Sequence, residues 1–324
     1  MEYSVIIRTT GKAGAKYQQL LNSIQNLIPQ PQEVIVVLPE KYELPKERIG
    51  IEHFYFCKKG MVSQRLFGIA QCKTKYALIV DDDIAFDSDF VTKLYHPLKD
   101  EKYTISAGPL VEFFPERGRQ AIVSALCGSA IPTFFHKNRY NTVLRTTGYS
   151  YNRNIDTKVH RLYETQTAAW TCFFIDVAQF REINFEEELW LDMHGYATHD
   201  DTCMFYKAWV TGHKAVIVSD ANYQHLDAKT SIQGIKLKRA EADAFNTYVF
   251  WYRFIYEPDR GFMRLIDALC FAYSQIMTSL LVATKALRNK EHINELRVRA
   301  SAKKEAKVFV QSEEYSNLKK IIKD

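Results

Sequence analysis

Three consecutive carboxylates, Asp81-Asp82-Asp83, follow the apolar run Ala77-Leu78-Ile79-Val80 with no basic residue between them. Carboxylates crowded this closely raise one another's pKa and repel, so the arrangement is costly unless a cation or an arginine fork compensates. Hard oxygen ligands at the end of a strand suit Mg2+ or Mn2+, and such an ion can in turn hold a diphosphate. The competing reading is an acidic strand-to-loop turn, a setting Asp favours. A second acidic pair, Asp200-Asp201, follows His199 and opens a segment whose Met204, Phe205, Ala208 and Trp209 fall on one helical face. A carboxylate there is suited either to general-base chemistry or to capping the helix start. Two further groups belong with these: Arg65, able to pair with an acidic neighbour or to contact a nucleotide, and His225, a core histidine or a ligand.

Periodicity indicates the elements that must position these groups. Residues 3–8 (YSVIIR) read as a buried strand rich in β-branched residues, and Gly11 and Gly14 mark the turn after it. From Lys16 the positions Tyr17, Leu20, Leu21, Ile24, Leu27 and Ile28 repeat at helical spacing until Pro29 and Pro31. Residues 33–38 and 51–56 read as two more strands, and a helix over 62–72 leads into a strand over 76–80. Continuous apolar strands alternating with helices indicate a parallel sheet covered on both faces, with ligands beyond the carboxyl ends of its strands. Thr9, Pro39 and the carboxylates at 81–83 all fall at such ends and are expected to share one crevice.

Beyond them, residues 88–98 suggest a short helix capped by Asp87 or Ser88. Residues 104–114 suggest a strand broken at Gly108-Pro109, and 165–175 another, followed by a short helix over 176–182. The intervening 115–163, rich in Arg, Asn, Tyr and Gly, suggest an inserted and partly mobile region near the site. A strand over 214–219 precedes His225, and from about residue 235 the pattern is wholly helical.

The 324 residues are enough for one large domain or two modest ones. A net charge of +5 is too small to argue for nucleic acid, so no nucleic-acid partner is expected. The six cysteines include no CxxC pair, which argues against a zinc or redox motif. The opening Met1-Glu2-Tyr3 runs straight into an apolar strand without the pattern of a signal peptide, so a cytoplasmic location with free thiols is expected. Residues 268–284 carry no charge over 17 positions, at the short limit for a membrane span. Three readings stand for this segment: a buried or dimerising helix, a helix on the inner membrane surface, or a span.

Taken together, the segments over residues 3–228 resemble the inverting nucleotide-sugar glycosyltransferases of family 2. The resemblance implies an α/β GT-A (Rossmann-like) fold, with a mostly parallel sheet flanked by helices over 1–230 and a helical C-terminal extension over 231–324. Residues 4–10 (SVIIRTT) stand where that family has its opening strand and a Thr-containing loop beside the donor, which makes Thr9 a donor contact. Residues 61–83 (MVSQRLFGIAQCKTKYALIVDDD) look like its Arg-bearing helix leading to an Asp-x-Asp strand, with Arg65 16 residues before Asp81. By this resemblance Arg65, Asp81 and Asp82 contact the donor, and Asp83 and His225 hold Mn2+ or Mg2+, with Asp81 on the ribose or the metal. Asp201 is the expected base, with Asp200 as the other choice, and Trp170 is an acceptor contact.

The sequence departs from the family pattern at three places. Leu38-Pro39-Glu40 replaces an Asp pair that reads the base, leaving Glu40 as the substitute; Leu66 replaces an Asn, and Asp200 replaces a Glu. The implied donor is a nucleoside-diphosphate sugar, a UDP-sugar foremost, and the implied acceptor a glycan or lipid-linked hydroxyl. Competing readings are a catalytically silent glycan- or nucleotide-binding module and a haloacid dehalogenase-like phosphohydrolase. The phosphohydrolase wants Thr or Val where Ala85 stands. A sugar nucleotidyltransferase would want a Gly-rich Arg-Lys loop, of which residues 11–14 (GKAG) are only a trace.

Overall fold

The structure is a computed structural model that describes residues 1–226 and 236–322. The N-terminal half follows the apolar periodicity closely, with β1 (Tyr3–Arg8), α1 (Ala15–Gln25), β2 (Glu33–Pro39), β3 (Glu52–Cys57), α2 (Met61–Gln71), β4 (Tyr76–Asp81) and β5 (Ile84–Phe86). Then come α3 (Phe90–Tyr95), β6 (Ile105–Ala107), α4 (Arg119–Leu126), β7 (Ala130–Pro132), β8 (Asn141–Val143), β9 (Tyr149–Tyr151) and β10 (Leu162–Thr165). After these follow β11 (Cys172–Asp176), α5 (Val177–Glu182), α6 (Asp200–Val210), β12 (Ala215–Val218) and β13 (Tyr223–His225).

Eight strands form the central sheet in the order β10-β12-β6-β11-β4-β1-β2-β3. The strands from β4 to β3 pair in parallel, as expected, whereas β11 runs antiparallel between β4 and β6. Both faces are covered, because alternate residues of each strand belong to different cores. Val5, Ile7, Val34 and Val80 pack with Leu20, Leu21 and Ile24 of α1. Ile6, Ile35, Val37 and Ile79 pack with Leu66 and Ile69 of α2 and with Phe205 of α6.

The middle of the chain departs from the expected strand pattern. The strand over 104–114 shrinks to β6 and a short 3-10 turn, Val111–Phe113. Residues 115–163, expected as an inserted and partly mobile region, carry α4 and a three-stranded sheet in the order β7-β9-β8. Tyr140 and Tyr151 are buried there, against Phe114.

The C-terminal part is helical: α7 (Lys236–Phe250), continued by one π-helical turn (Trp251–Tyr256), then α8 (Gly261–Ala286), α9 (Glu291–Phe309) and α10 (Glu313–Ser316). The expected boundary at residue 230 lies outside the described residues. The apolar core does not divide there, for Phe245, Phe250, Phe254 and Phe309 belong to the same cluster as Ile6 and Phe205. On α8, only Asp267, Phe271, Ser274 and Val282 are buried, so it is no buried core helix. It is the one helix among the described residues long and apolar enough to cross a membrane.

Candidate active site

The register of the sheet assembles the first part of the site. β1 lies beside β4 with Arg8 opposite Asp81. Arg8 Nε donates to Asp81 Oδ1 at 3.0 Å, and its Nη2 lies 2.9 Å from Oδ2. Arg65, on α2, reaches the same carboxylate, with Nη2 2.9 Å from Oδ1. Its other arm, Nη1, lies 3.0 Å from Asp200 Oδ2. One planar fork therefore ties the end of β4 to the start of α6. Burial would raise the pKa of Asp81, but Arg65 and Arg8 together outweigh it and hold the carboxylate below its usual range.

α2 is set in place by close packing and by a distant cap. Gly68 lets the helix approach β1 so nearly that an added Cβ would overlap Ile6. At its N-terminus Asp192 accepts from the backbone N–H of Val62 at 3.2 Å and of Ser63 at 2.8 Å, and from Ser63 Oγ at 2.7 Å. Gly60 leaves room for that carboxylate, which a Cβ would strike. Beside Arg65 on the same helix, Gln64 donates to the carbonyls of Thr9 (3.1 Å) and Val37 (2.9 Å), bracing the ends of β1 and β2.

Thr9 Oγ1 donates to Asp82 Oδ2 at 2.5 Å. Burial pushes the Asp82 carboxyl up to about 6 against the pull of Thr9 and Arg8, with Asp83 and Asp81 adding to the rise. Asp83 sits at the head of an antiparallel ribbon, β5 with β13, that sets His225 opposite Ile84. His225 Nε2 lies 3.5 Å from Asp83 Oδ1, and the Leu226 N–H donates to the Asp83 carbonyl at 2.7 Å.

A carboxylate and an imidazole held this close suit a borderline-hard divalent ion with open positions for diphosphate and water. Among the described residues no group of three or more His, Cys, Asp and Glu converges as a metal cage. Both oxygens of Asp81 are engaged by arginines, whereas Asp83 and His225 face each other.

Asp200 and Asp201 are the first residues of α6, and neither is its N-cap; that position is His199, in the left-handed region at φ 65°. Burial raises both carboxyls, against the opposing pull of Arg65. Asp201 Oδ1 accepts from the Thr202 N–H at 2.6 Å. The loop before α6 is held from the C-terminal helices: Asn246 Nδ2, on α7, donates to the carbonyls of Thr198 (2.9 Å) and Leu191 (3.2 Å). His199 lies nearly parallel to the Phe250 ring, with centroids 6.1 Å apart.

The structure thus brings Thr9, Arg65, Asp81, Asp82, Asp83, His225, Asp200 and Asp201 to the carboxyl end of the sheet. Two expected contacts are not among them. Trp170 is 2% exposed, packed edge-on against Phe185 with the Arg65 guanidinium 4.7 Å from its ring centroid, so it offers no platform to an acceptor. It supports the site from below, its carbonyl accepting from Arg65 Nη2 at 2.8 Å. Glu40 is exposed past the end of β2, and a pocket of about 520 Å3 nearby is lined instead by Thr10, Gly11, Lys12, Lys41, Tyr42 and Glu43.

Arg8, Gln64, Asp192 and Asn246 are site-building residues that sequence reasoning missed. Only Arg8, a cation at the last position of an apolar strand, carries a signal there.

Residues 4–161 match the model of the family described as Glycosyl transferase family 2. The match covers Thr9, Arg65 and the carboxylates at 81–83, and stops before Asp200, Asp201 and His225. No curated protein matches the sequence. Among solved structures, the chain is similar to S. aureus TarS 1-349, at 14% identity and a TM-score of 0.51, covering 93% of this chain and 81% of that one. It is similar also to TarS 1-349 in complex with UDP-GlcNAc, at 14% identity and a TM-score of 0.53, with 93% and 79% covered. At that identity the likeness speaks for the fold. With the family match over the strand ends that build the crevice, residues 4–161 belong to glycosyl transferase family 2, and the chain has the GT-A fold and is a glycosyltransferase.

Proposed function

We propose that the protein is a metal-dependent inverting glycosyltransferase, transferring a sugar from a nucleoside-diphosphate donor, a UDP-sugar foremost, to a hydroxyl of a glycan or lipid-linked acceptor. One observation carries this reading: Arg65 bridges Asp81 and Asp200, so the strand-end carboxylates and the acidic pair of α6 share one crevice. Asp83 and His225 would hold Mn2+ or Mg2+, which when bound neutralises the charge growing on the departing diphosphate. Thr9 and Asp82 fix the loop after β1 through their hydrogen bond, and so shape the donor side of the crevice. Asp200 is committed to Arg65, which favours Asp201 as the base.

In the proposed step Asp201 takes the proton of the acceptor hydroxyl. The acceptor oxygen forms its bond to the anomeric carbon as the bond to the phosphate oxygen breaks, and the nucleoside diphosphate leaves with that electron pair. The activity belongs to polysaccharide biosynthesis on the cytoplasmic side of a membrane.

The test is a thermal-shift panel of nucleoside diphosphates with and without Mn2+, run beside a transfer assay. Asp201→Asn should keep the nucleotide-dependent shift and lose transfer by roughly 10²–10⁴-fold. Sugar transfer by Asp201→Asn at the wild-type rate overturns the assignment of the base.

A further inference from the structure

The outward face of α8 is apolar along its whole length. Phe262, Leu265, Leu269, Ile276, Leu280 and Leu287 recur at intervals of three, four and seven residues, which places them in one stripe. All six are exposed, Leu269 at 62%, Ile276 at 59% and Leu287 at 89%. α4 extends the apolar area. Tyr273 Oη donates to the Leu126 carbonyl at 2.6 Å and Ser274 Oγ to that of Cys127 at 3.0 Å, and Ile122 and Leu126 are themselves exposed. An open groove of about 520 Å3 continues the stripe between α8 and α9, lined by Ile276, Leu280 and Leu296 with Lys303 at its side. Exposed apolar area this continuous marks a docking surface.

Charge says what docks there. Between residues 260 and 290 the only acid is Asp267, fully buried and paired with Arg145. The exposed charges are Arg260 before the stripe and Lys285, Arg288 and Lys290 at its far end. A second copy laid antiparallel on the stripe would set these cations against one another, and a parallel copy would set each against itself. A layer of lipid phosphates meets them with the opposite sign.

The inner face rules on orientation. Phe271 stacks on Trp251 with centroids 4.3 Å apart, and Asp267 and Ser274 are bonded to the domain, so a spanning helix would have to shed these contacts. We infer that α8, flanked by α4, lies flat in the headgroup layer of an anionic membrane, its apolar stripe inserted and its terminal cations on lipid phosphates. The inference rests on the proposed function only in its use, the capture of a lipid-linked acceptor at the membrane.

The experiment is co-sedimentation of the full chain with vesicles of phosphatidylcholine mixed with phosphatidylglycerol, against phosphatidylcholine alone. The wild type should pellet with the mixed vesicles, be weakened by salt and be stripped by alkaline carbonate. Leu269→Ser combined with Ile276→Ser should weaken partitioning by at least about tenfold. Lys285→Glu with Arg288→Glu should remove the preference for anionic lipid. All variants should melt as the wild type does and keep the Mn2+-dependent nucleotide shift, which separates loss of membrane binding from unfolding. A wild type that fails the nucleotide shift but pellets refutes the proposed function and leaves this inference standing. Absence from the pellet, resistance to carbonate, or a dimer that Leu269→Ser with Ile276→Ser splits would each overturn it.

Discussion

Two buried clusters of charge lie within this chain, and they are built to opposite rules. Around Glu188 the signs balance. Lys207 Nζ lies 2.7 Å from Glu188 and 2.9 Å from Glu187, while Arg253 Nη2 lies 2.9 Å from Glu188 and 3.2 Å from Glu187. Burial would raise Glu188, yet Lys207 and Arg253 outweigh it and hold the carboxylate below its usual range. At the end of the sheet carboxylates predominate: Asp81, Asp82, Asp83, Asp200 and Asp201 gather there, with Arg8 and Arg65 paired to Asp81 and Asp200. There Asp81 is lowered by its arginines, while burial pushes Asp82 up to about 6 and Asp200 up to about 7. A satisfied cluster welds α6 to the C-terminal helices. An unsatisfied one holds excess negative charge in a crevice where a diphosphate would be repelled unless a cation came with it.

The largest effect separating the two should come from removing a cation of the balanced cluster. Arg253→Ala strands Glu188 in the core and is expected to cost about 3–5 kcal/mol in urea denaturation. A change well under that would mean the cluster is wetter than its geometry implies. Next comes the response to ligand: saturating Mn2+ with a matched nucleoside diphosphate should stabilise the wild type by roughly 2–4 kcal/mol, read by thermal melting. Asp83→Ala should abolish that gain, whereas Arg253→Ala should keep it.

The smallest effect is the sign of the pH dependence. A carboxyl raised by folding contributes stability at low pH that is lost as pH rises through its folded value. The wild type should therefore lose stability as pH rises from about 4, the ordinary range of an aspartate, to about 7, where Asp200 titrates, and Asp200→Asn should flatten that loss. Glu188, being lowered, works the other way: its share is lost only as pH falls through its depressed folded value. A wild type that gains stability from about pH 5 to about pH 7 would reverse the ranking of the two clusters.

Much of the site was legible because its residues are local to strong patterns. Unbroken apolar runs mark β1, β2 and β4, and whatever follows such a run in a parallel sheet falls at the crevice; Thr9 and the carboxylates at 81–83 were found that way. Arg8 was not, since its pairing with Asp81 is a matter of register between strands 73 residues apart. Asp192 and Asn246 were missed for the same reason, their partners lying 129 and 48 residues away. Trp170 misled because an aromatic residue beside an acceptor helix reads alike whether it faces the cleft or the core. The elements within 115–163 were not legible because the strands of their sheet are three residues long, too short to show a period.

Asp192 has a mechanical consequence. It ends the 3-10 segment Phe185–Asp192 that precedes α6, yet its carboxylate closes the first turn of α2, the helix that carries Arg65. Gly60 makes room for it, and any side chain there would displace the carboxylate. The two halves of the crevice are thus tied twice over: Asp192 reaches back to the start of α2, and one turn further on Arg65 reaches forward to Asp200.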